Sequence, residues 1–277
     1  MKNFFVITNG YKDPGGSCAA EVAEKLRNMV EGARVGVDDV IKNDPQVPAD
    51  TDAVIVLGGD GTLLKVAIAI RQLDIPILGV NLGNMGYLTE VELSELDAAI
   101  ERLKCGDFLI EKRMMLAGSC CIGGVKSEVE HALNDIVMSR LGELQISGYR
   151  VTVNGIFLGD FFADGIVICT PTGSTGYSLS AGGPIVEPSA QLMVLTAVAS
   201  HSLKSRSIVL SEEDHIRVEL LPARGSKPLE AGAYFDGVTM GTVKPGDYIE
   251  VRRSSRVCRL IKLGTDGFLQ VVQKKLS

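Results

Sequence analysis

Tryptophan is absent from the 277 residues, histidine occurs only three times, and aromatic residues make up 5% of the chain. No apolar run reaches the roughly 18 residues of a membrane span. No basic start precedes a short apolar stretch, so a secretory signal is not expected either. None of the six cysteines (Cys18, Cys105, Cys120, Cys121, Cys169 and Cys258) forms a C-x-x-C pair. Reduced thiols in a cytoplasmic protein are the expectation. His131, His201 and His215 are far apart and lack zinc spacing, and no G-x-S-x-G elbow supports a Ser/His/Asp triad.

Basic residues are also short. Lys and Arg number 28 against 34 Asp and Glu, a formal net charge of −6. Nucleic-acid binding relies on basic patches, so a nucleic-acid partner is not expected. An anionic ligand would have to be held locally, by backbone amides, a metal ion or a few placed cations. Apolar residues make up 45% and charged residues 22%, the balance of a globular protein, and the length suits about two domains.

What is present is a rhythm that changes. "NFFVIT" reads as a strand. Residues 17 to 31 carry Cys18, Val22, Leu26, Met29 and Val30 at helical spacing, with Ser17 as the expected N-cap. "DAVIVL" and "PILGV" are continuous apolar runs, the pattern of parallel strands buried on both faces. A helix is expected from about Leu63 to Gln72. Another spans "SELDAAIERLKCG", capped by Ser94 and ended by Gly106. This alternation predicts a Rossmann-like, doubly wound α/β domain. After Phe108 come short strands with turn residues, including "VTVNGIFL", where Asn154-Gly155 suits a type I′ hairpin. A β-rich second domain is expected there. The final "TDGFLQVVQKKLS" returns to helix, with Thr265 or Asp266 as the expected cap.

Two stretches carry chemistry. "VIVLGGDGTLLKVA", residues 54 to 67, is a strand entering a glycine-rich corner that opens a helix. Gly58, Gly59, Gly61 and Thr62 suit close approach of backbone N–H groups to donor phosphates. The corner is neither a P-loop nor G-x-G-x-x-G. Asp60 at its centre is either a helix cap or a carboxylate facing a metal ion or an acceptor hydroxyl, which points to phosphoryl transfer. The second stretch, "GDFFADGIVICTPTGSTGYSLSAGGPIVEP" at 159 to 188, is a strand running into a loop of Thr, Ser and Gly. Its hydroxyls and free amides suit ribose, amide and phosphate oxygens.

Together with Asn134-Asp135 in "ALNDIV", these stretches resemble the NAD kinases. That family combines a "GGDGT" loop, an Asn-Glu or Asn-Asp pair and a "DG…TPTGSTAYSLSAGGP" segment, here in the same order. "NLGNMGYL" at 81 to 88 and "ASHSLKSRSIV" at 199 to 209 are similar to two further elements of the family. The resemblance covers nearly the whole chain.

It implies phosphorylation of NAD at the 2′-hydroxyl of its adenosine ribose to give NADP, from ATP or polyphosphate, with a divalent metal, Mg²⁺ in the first instance. It implies an α/β domain of residues 1–107 plus about 262–277, to which the C-terminal helix returns. It also implies a β-rich NAD-binding domain of 108–261, an active site between the two, and a homodimer or homotetramer. Asp60 matches the proton acceptor, and Gly61 belongs to the same dinucleotide contact. Asn134, Asp135, Asp164, Thr175, Gly176, Tyr177 and Ser180 match NAD-binding positions. Tyr87 and Ala199 match further contacts, Tyr87 on the adenine side and Ala199 through its backbone. No residue is assigned to the metal.

The chain departs from the family at Gly176, where alanine is common. It departs again at Phe162, where a basic residue is frequent, which bears on the choice between NAD and NADH. Other readings are another "GGDGT" kinase (diacylglycerol and sphingosine kinases share the loop, and phosphofructokinases have a related one) or a non-catalytic NAD(P) sensor.

Overall fold

Strands β1 (Asn3–Thr8), β2 (Arg34–Asp39), β3 (Ala53–Gly58) and β4 (Ile77–Asn81) alternate with helices α1 (Ser17–Met29) and α2 (Asp60–Ala69). The computed structural model describes residues 1–40, 45–83, 86–142, 145–202, 206–222, 229–264 and 268–276. A two-residue β5 (Val91–Glu92) and α3 (Leu96–Cys105) follow. The chain forms two compact units. One holds Met1–Arg113 and Val257–Ser277, the other Met114–Arg256.

In the first unit β1 to β4 pair in parallel, in the order β4-β3-β1-β2. β3 and β4 are buried along their whole length, as continuous apolar runs require. Alternate residues divide the two faces. Phe4, Val6, Ile55, Leu57, Leu78 and Val80 share a core with Val22 and Leu26 of α1 and Ile100 and Leu103 of α3. Gly79 points to the other face, where a Cβ would stand 2.7 Å from Leu63 of α2. Helices on both faces make the unit doubly wound.

Three helix starts differ from the sequence expectation. α2 begins at Asp60 and ends at Ala69, not at Leu63 and Gln72. Asp60, Gly61 and Thr62 are poor helix formers, yet Thr62 and Leu63 donate to the Gly59 carbonyl and close the turn. α1 is capped by Asp13, not Ser17. The Asp13 carboxylate accepts the Cys18 and Ala19 amides, both at 3.0 Å. α3 is preceded by a reciprocal Glu92/Glu95 capping box, so Ser94 does not cap it. Gly106 ends α3 at φ +73, as expected.

The second unit is a β-sandwich. Its strands are β6 (Leu109–Ile122, entering from the first unit), β7 (Val125–Lys126), β8 (Glu130–Ala132), β9 (Asp135–Arg140), β10 (Ser147–Val153) and β11 (Ile156–Ala163). β12 (Gly165–Cys169) leads through a 3₁₀ turn, Thr172–Thr175, to the one-turn helix α4 (Tyr177–Ser180). Then come β13 (Leu192–Val198), β14 (Ile208–Ser211), β15 (Ile216–Leu220), β16 (Ala231–Phe235), β17 (Val238–Val243) and β18 (Tyr248–Lys262).

One antiparallel sheet runs β14-β13-β12-β9-β16-β17, and another contains β11-β10-β15-β18. Met138, Ile166, Ile168 and Leu195 of the first meet Tyr149, Val151, Val218 and Ile249 of the second in one core. Asn154 and Gly155 turn the β10–β11 hairpin at φ +53 and +76. The last residues of β18 return to the first unit, where Leu260 pairs with Ile77, and α5 (Phe268–Leu276) ends the chain there. The expected cap residues of that helix, Thr265 and Asp266, lie outside the described residues.

Asp13 is 4% exposed and also accepts from Thr8 Oγ1 at 3.1 Å. Burial pushes its carboxyl up, but the Cys18 and Ala19 amides and the hydroxyls outweigh that and hold it below the usual value. Asp13→Ala should therefore destabilise the protein by about 1–2 kcal/mol, the cost of a lost N-cap. Urea unfolding measures this, and Ser17→Ala should cost less.

Candidate active site

The strand order of the first unit reverses between β1 and β3. α1 carries the chain from β1 to one side, and α2 carries it from β3 to the other. The crevice outside the carboxyl ends of such a strand pair is where open α/β sheets bind ligands. Gly58 to Thr62 lie at the end of β3. Thr62 is buried and accepts from Asn9 Nδ2 at 2.9 Å. A Cβ on Gly58 would strike the Thr62 side chain at 2.5 Å, so glycine is required there.

Lys12, in the loop after β1, was not singled out from the sequence. A Cβ on Gly59 would stand 3.0 Å from its Nζ, and one on Gly83 3.7 Å. Lys12 lines a 390 Å³ cavity with Asn81, Gly83 and Glu92. Its ammonium has no ion-pair partner among the described residues. A placed cation is thus present over the glycine corner of an acidic chain.

Asp60 is not the cap of its own helix; Gly59 holds the N-cap position. The carboxylate instead accepts the Tyr87 amide at 2.7 Å and the Leu88 amide at 3.0 Å, from the loop after β4. Gly86 makes this possible, since a Cβ there would lie 1.7 Å from Asp60 Oδ1. An ionised carboxylate has about four lone-pair sites. The two amides fix its orientation and leave it able to accept further hydrogens. Tyr87 contributes its amide here, and its side chain is half-buried.

In the second unit Asn134 and Asp135 form the corner entering β9. Every backbone group of residues 133–135 is satisfied. The three amides donate to one carboxylate, Asp236, at 2.6, 2.8 and 2.9 Å. The Leu133 carbonyl accepts from Thr170 Oγ1, the Asn134 carbonyl from the Thr170 amide, and the Asp135 carbonyl from the Asp236 amide. Gly173 packs directly on this corner, where a Cβ would meet the Asn134 carbonyl at 2.0 Å.

The side chains are left over. Asn134 Oδ1 is buried with no partner among the described residues. The Asp135 carboxylate, 8% exposed, has no hydrogen-bond partner among the described residues. Gly176 is beside both. Its Cβ would lie 3.8 Å from Asn134 Nδ2 and 4.0 Å from Asp135 Oδ2. Two adjacent buried acceptors without donors suit a ligand that brings hydroxyl groups.

The other expected residues spread along the same loop. Thr175 bonds back to the Thr172 carbonyl and closes the 3₁₀ turn. Tyr177 opens α4 half-exposed, and Ser180 ends it. Asp164 and Ala199 line a separate 230 Å³ cavity with Gln145, Ile146 and His201. Ala199 sits at φ +47. Asp164 is paired with Arg140, Nε to Oδ1 at 2.7 Å, so a cation stands beside it although Phe162 occupies the expected basic position.

Burial raises the Asp135 carboxyl to about 7, with a further push from the Asp236 charge. Burial also raises Asp236, to about 6, against the pull of the three amides it accepts. Asp236 was not singled out from the sequence. Its one local signal is the Asp236-Gly237 hairpin turn, at φ +48 and +80.

Comparison with known proteins decides the family. Residues 15–108 match the ATP-NAD kinase N-terminal domain, and residues 133–263 match the ATP-NAD kinase C-terminal domain. The NAD kinase of Agathobacter rectalis is 41% identical over 283 residues, which span 100% of this chain and 99% of that one.

This chain belongs to the ATP-NAD kinase family.

Solved structures share its fold. The crystal structure of yeast NADH kinase complexed with NADH has a TM-score of 0.89 at 22% identity, covering 100% of this chain and 87% of that chain. An NAD kinase from Archaeoglobus fulgidus in complex with ATP has a TM-score of 0.76 at 22% identity, covering 99% and 98%. The fold, an α/β domain followed by a β-rich domain, is that of the family.

The raised Asp135 and Asp236 pKa values carry a stability consequence. Unfolded, Asp135 titrates near its ordinary value of 3.8; folded, near 7. Between these values the folded protein holds more protons, so stability falls as pH rises through the window. Asp236 acts in the same sense. Thermal melting should show Asp135→Asn more stable than the parent at pH above about 7, with the difference vanishing near pH 4.

Proposed function

We propose that this protein transfers the γ-phosphoryl group of ATP to the adenosine-ribose 2′-hydroxyl of NAD, giving NADP and ADP. The observation that carries the reading in the structure is the unpartnered acceptor pair, Asn134 Oδ1 and the Asp135 carboxylate. A ribose offers adjacent hydroxyl donors to such a pair. Gly173 and Gly176 keep side chains out of its way. Thr175, Tyr177 and Ser180, on the same loop, are further dinucleotide contacts, as are Asp164, Ala199 and Tyr87.

In the step itself the 2′-oxygen bonds to the γ-phosphorus and the bond from that phosphorus to the β,γ-bridging oxygen breaks. The hydroxyl proton goes to Asp60. Its carboxylate is held by the Tyr87 and Leu88 amides and keeps lone pairs for the acceptor hydroxyl. Gly59 and Gly61 present backbone N–H groups to the donor phosphates, Gly58 and Thr62 frame the corner, with the Thr62 amide already donated to the Gly59 carbonyl, and the Lys12 ammonium adds charge.

Mg²⁺ fits as a companion of the nucleotide. Among the described residues no group of three His, Cys, Asp or Glu side chains could hold a metal ion. Mg²⁺ is commonly held by phosphates, waters and one or two carboxylates, and Asp60 is the carboxylate of this loop. When bound, the ion neutralises phosphate charge.

The glycine corner reads phosphates and not a base, so polyphosphate is a second donor to test. The six cysteines are all free, in keeping with a cytoplasmic protein. No helix among the described residues is long and apolar enough to cross a membrane. Ile156 and Phe157 on β11 are 73% and 58% exposed, an apolar strip suited to self-association as a homodimer or homotetramer.

The test is direct. Protein, Mg²⁺, ATP and NAD are mixed, and NADP is read with a dehydrogenase specific for it. No NADP would overturn the reading in favour of a sensor or another "GGDGT" kinase. NADH and polyphosphate replace NAD and ATP in parallel.

Asp60→Asn should lower turnover by roughly 10²- to 10⁴-fold, the range for a lost general base, with a KM for NAD within a few-fold of the parent. Steady-state kinetics on one sample gives both. Lys12→Ala should raise the KM for ATP about tenfold or more, the worth of a charge-assisted hydrogen bond, and leave the KM for NAD unchanged. A KM for ATP that does not move would remove Lys12 from the phosphate site.

A further inference from the structure

We infer that Asp236 is a positioning residue for dinucleotide binding, holding the backbone of residues 133–135 so that Asn134 and Asp135 offer their acceptors side by side. This rests on the reading that the pair binds NAD. Among the described residues Asp236 makes no hydrogen bond to the Asn134 or Asp135 side chains; it acts through the three amides that converge on its carboxylate. Consecutive N–H groups curled around one anion form a nest, and the bonds are charge-assisted. One side chain, about a hundred residues away in sequence, thereby fixes three consecutive peptide groups.

A neutral residue would serve the turn equally well. The turn between β16 and β17 needs positive φ at position 236, where it is +48, and asparagine adopts that as readily as aspartate. Asparagine would also spare the protein a second carboxylate beside Asp135. Burial raises both carboxyls, and the Asp236 charge raises Asp135 further. Such a cost is retained where geometry matters more than stability. The side-chain amide that Asp236→Asn introduces has one oxygen for three donors, so the nest would open and the corner would loosen.

Few groups around Asp135 titrate near neutrality. Across β12 the register partner is Cys169, whose thiol burial pushes up to about 12, so it is neutral. The turn at 172–176 offers only Thr, Ser and Gly. From the β16–β17 turn comes Asp236 itself. On β9 the first cation is Arg140, already paired with Asp164. The ionised Asp135 is the better acceptor for hydroxyls, so NAD should bind more tightly as pH rises through the titration of the pair.

The experiment compares Asp236→Asn with Asn134→Ala and Asp135→Asn in the full-length protein. KM for NAD, KM for ATP and kcat are measured from about pH 5.5 to pH 8.5, the range that brackets the pair. Asp236→Asn should raise the KM for NAD roughly tenfold or more, and leave the KM for ATP within about twofold. The inflection in the NAD profile should move to lower pH, because Asp135 loses an anionic neighbour.

An unchanged KM for NAD, or equal rises in both KM values with an unmoved inflection, would overturn the inference. If Asn134→Ala and Asp135→Asn also leave the KM for NAD unchanged, the reading of the pair falls and the inference with it. If those two raise it and Asp236→Asn does not, only the inference falls. Should Asp236→Asn fail to fold, Asp236→Glu keeps the charge and displaces the carboxylate by one methylene. A raised KM for NAD with the inflection in place then supports the inference, and an unchanged KM overturns it.

Discussion

A carboxylate accepting two or three neighbouring backbone amides is the interaction on which both units depend. Asp13 does this for the first turn of α1, Asp60 for the loop after β4, and Asp236 for the corner entering β9. Asp52 holds the Lys2 and Asn3 amides, and Glu90 those of Leu263 and Gly264. Each bond is charge-assisted and directional, and each fixes a segment that regular helix or sheet pairing leaves loose. The net charge of −6 is therefore not simply a solvated surface. Part of it is structural, placed on loops that the proposed chemistry needs rigid.

This explains which parts of the molecule were legible beforehand. Continuous apolar runs announced β3 and β4, and the Asn154-Gly155 pair announced its hairpin, because these signals are local. Gly106 ended α3 for the same reason. The cap of α1 is not readable locally, because Asp13 lies four residues upstream of Ser17, in a loop with no periodic pattern. The start of α2 precedes its first apolar residue although Asp-Gly-Thr carries little helix propensity, since the turn closes through the Thr62 and Leu63 amides onto the Gly59 carbonyl.

The candidate site divides along the same line. Asp60 stood out from its glycines alone, but its partners Tyr87 and Leu88 follow another strand. Asn134-Asp135 was legible only by resemblance, as a two-residue motif with no local reason to matter. Its reason is non-local. The backbone is spoken for by Asp236 and Thr170, so the side chains remain unpaired among the described residues. Asp236 and Lys12 were invisible for the same cause. One is an ordinary hairpin aspartate and the other an ordinary loop lysine until the chain folds.

An acidic chain proposed to bind two anionic substrates also has to keep its carboxylates from repelling them. The amide nests solve part of this. Asp60 and Asp236 each spread their charge over neighbouring N–H dipoles, which weakens the field an approaching phosphate meets. The remaining attraction is supplied where it is needed, by the open amides at the start of α2 and by the Lys12 ammonium, unpaired among the described residues. Asp135 is the exception. Among the described residues it has no amide to share its carboxylate, and burial, with a further push from the Asp236 charge, raises it to about 7. Ribose hydroxyls are the donors that would relieve it. Binding such a ligand is favoured twice, through the bonds gained and through the repulsion screened. That asymmetry selects for hydroxyl donors over phosphate at this corner, and so separates the acceptor side of the reaction from the donor side without any net positive charge.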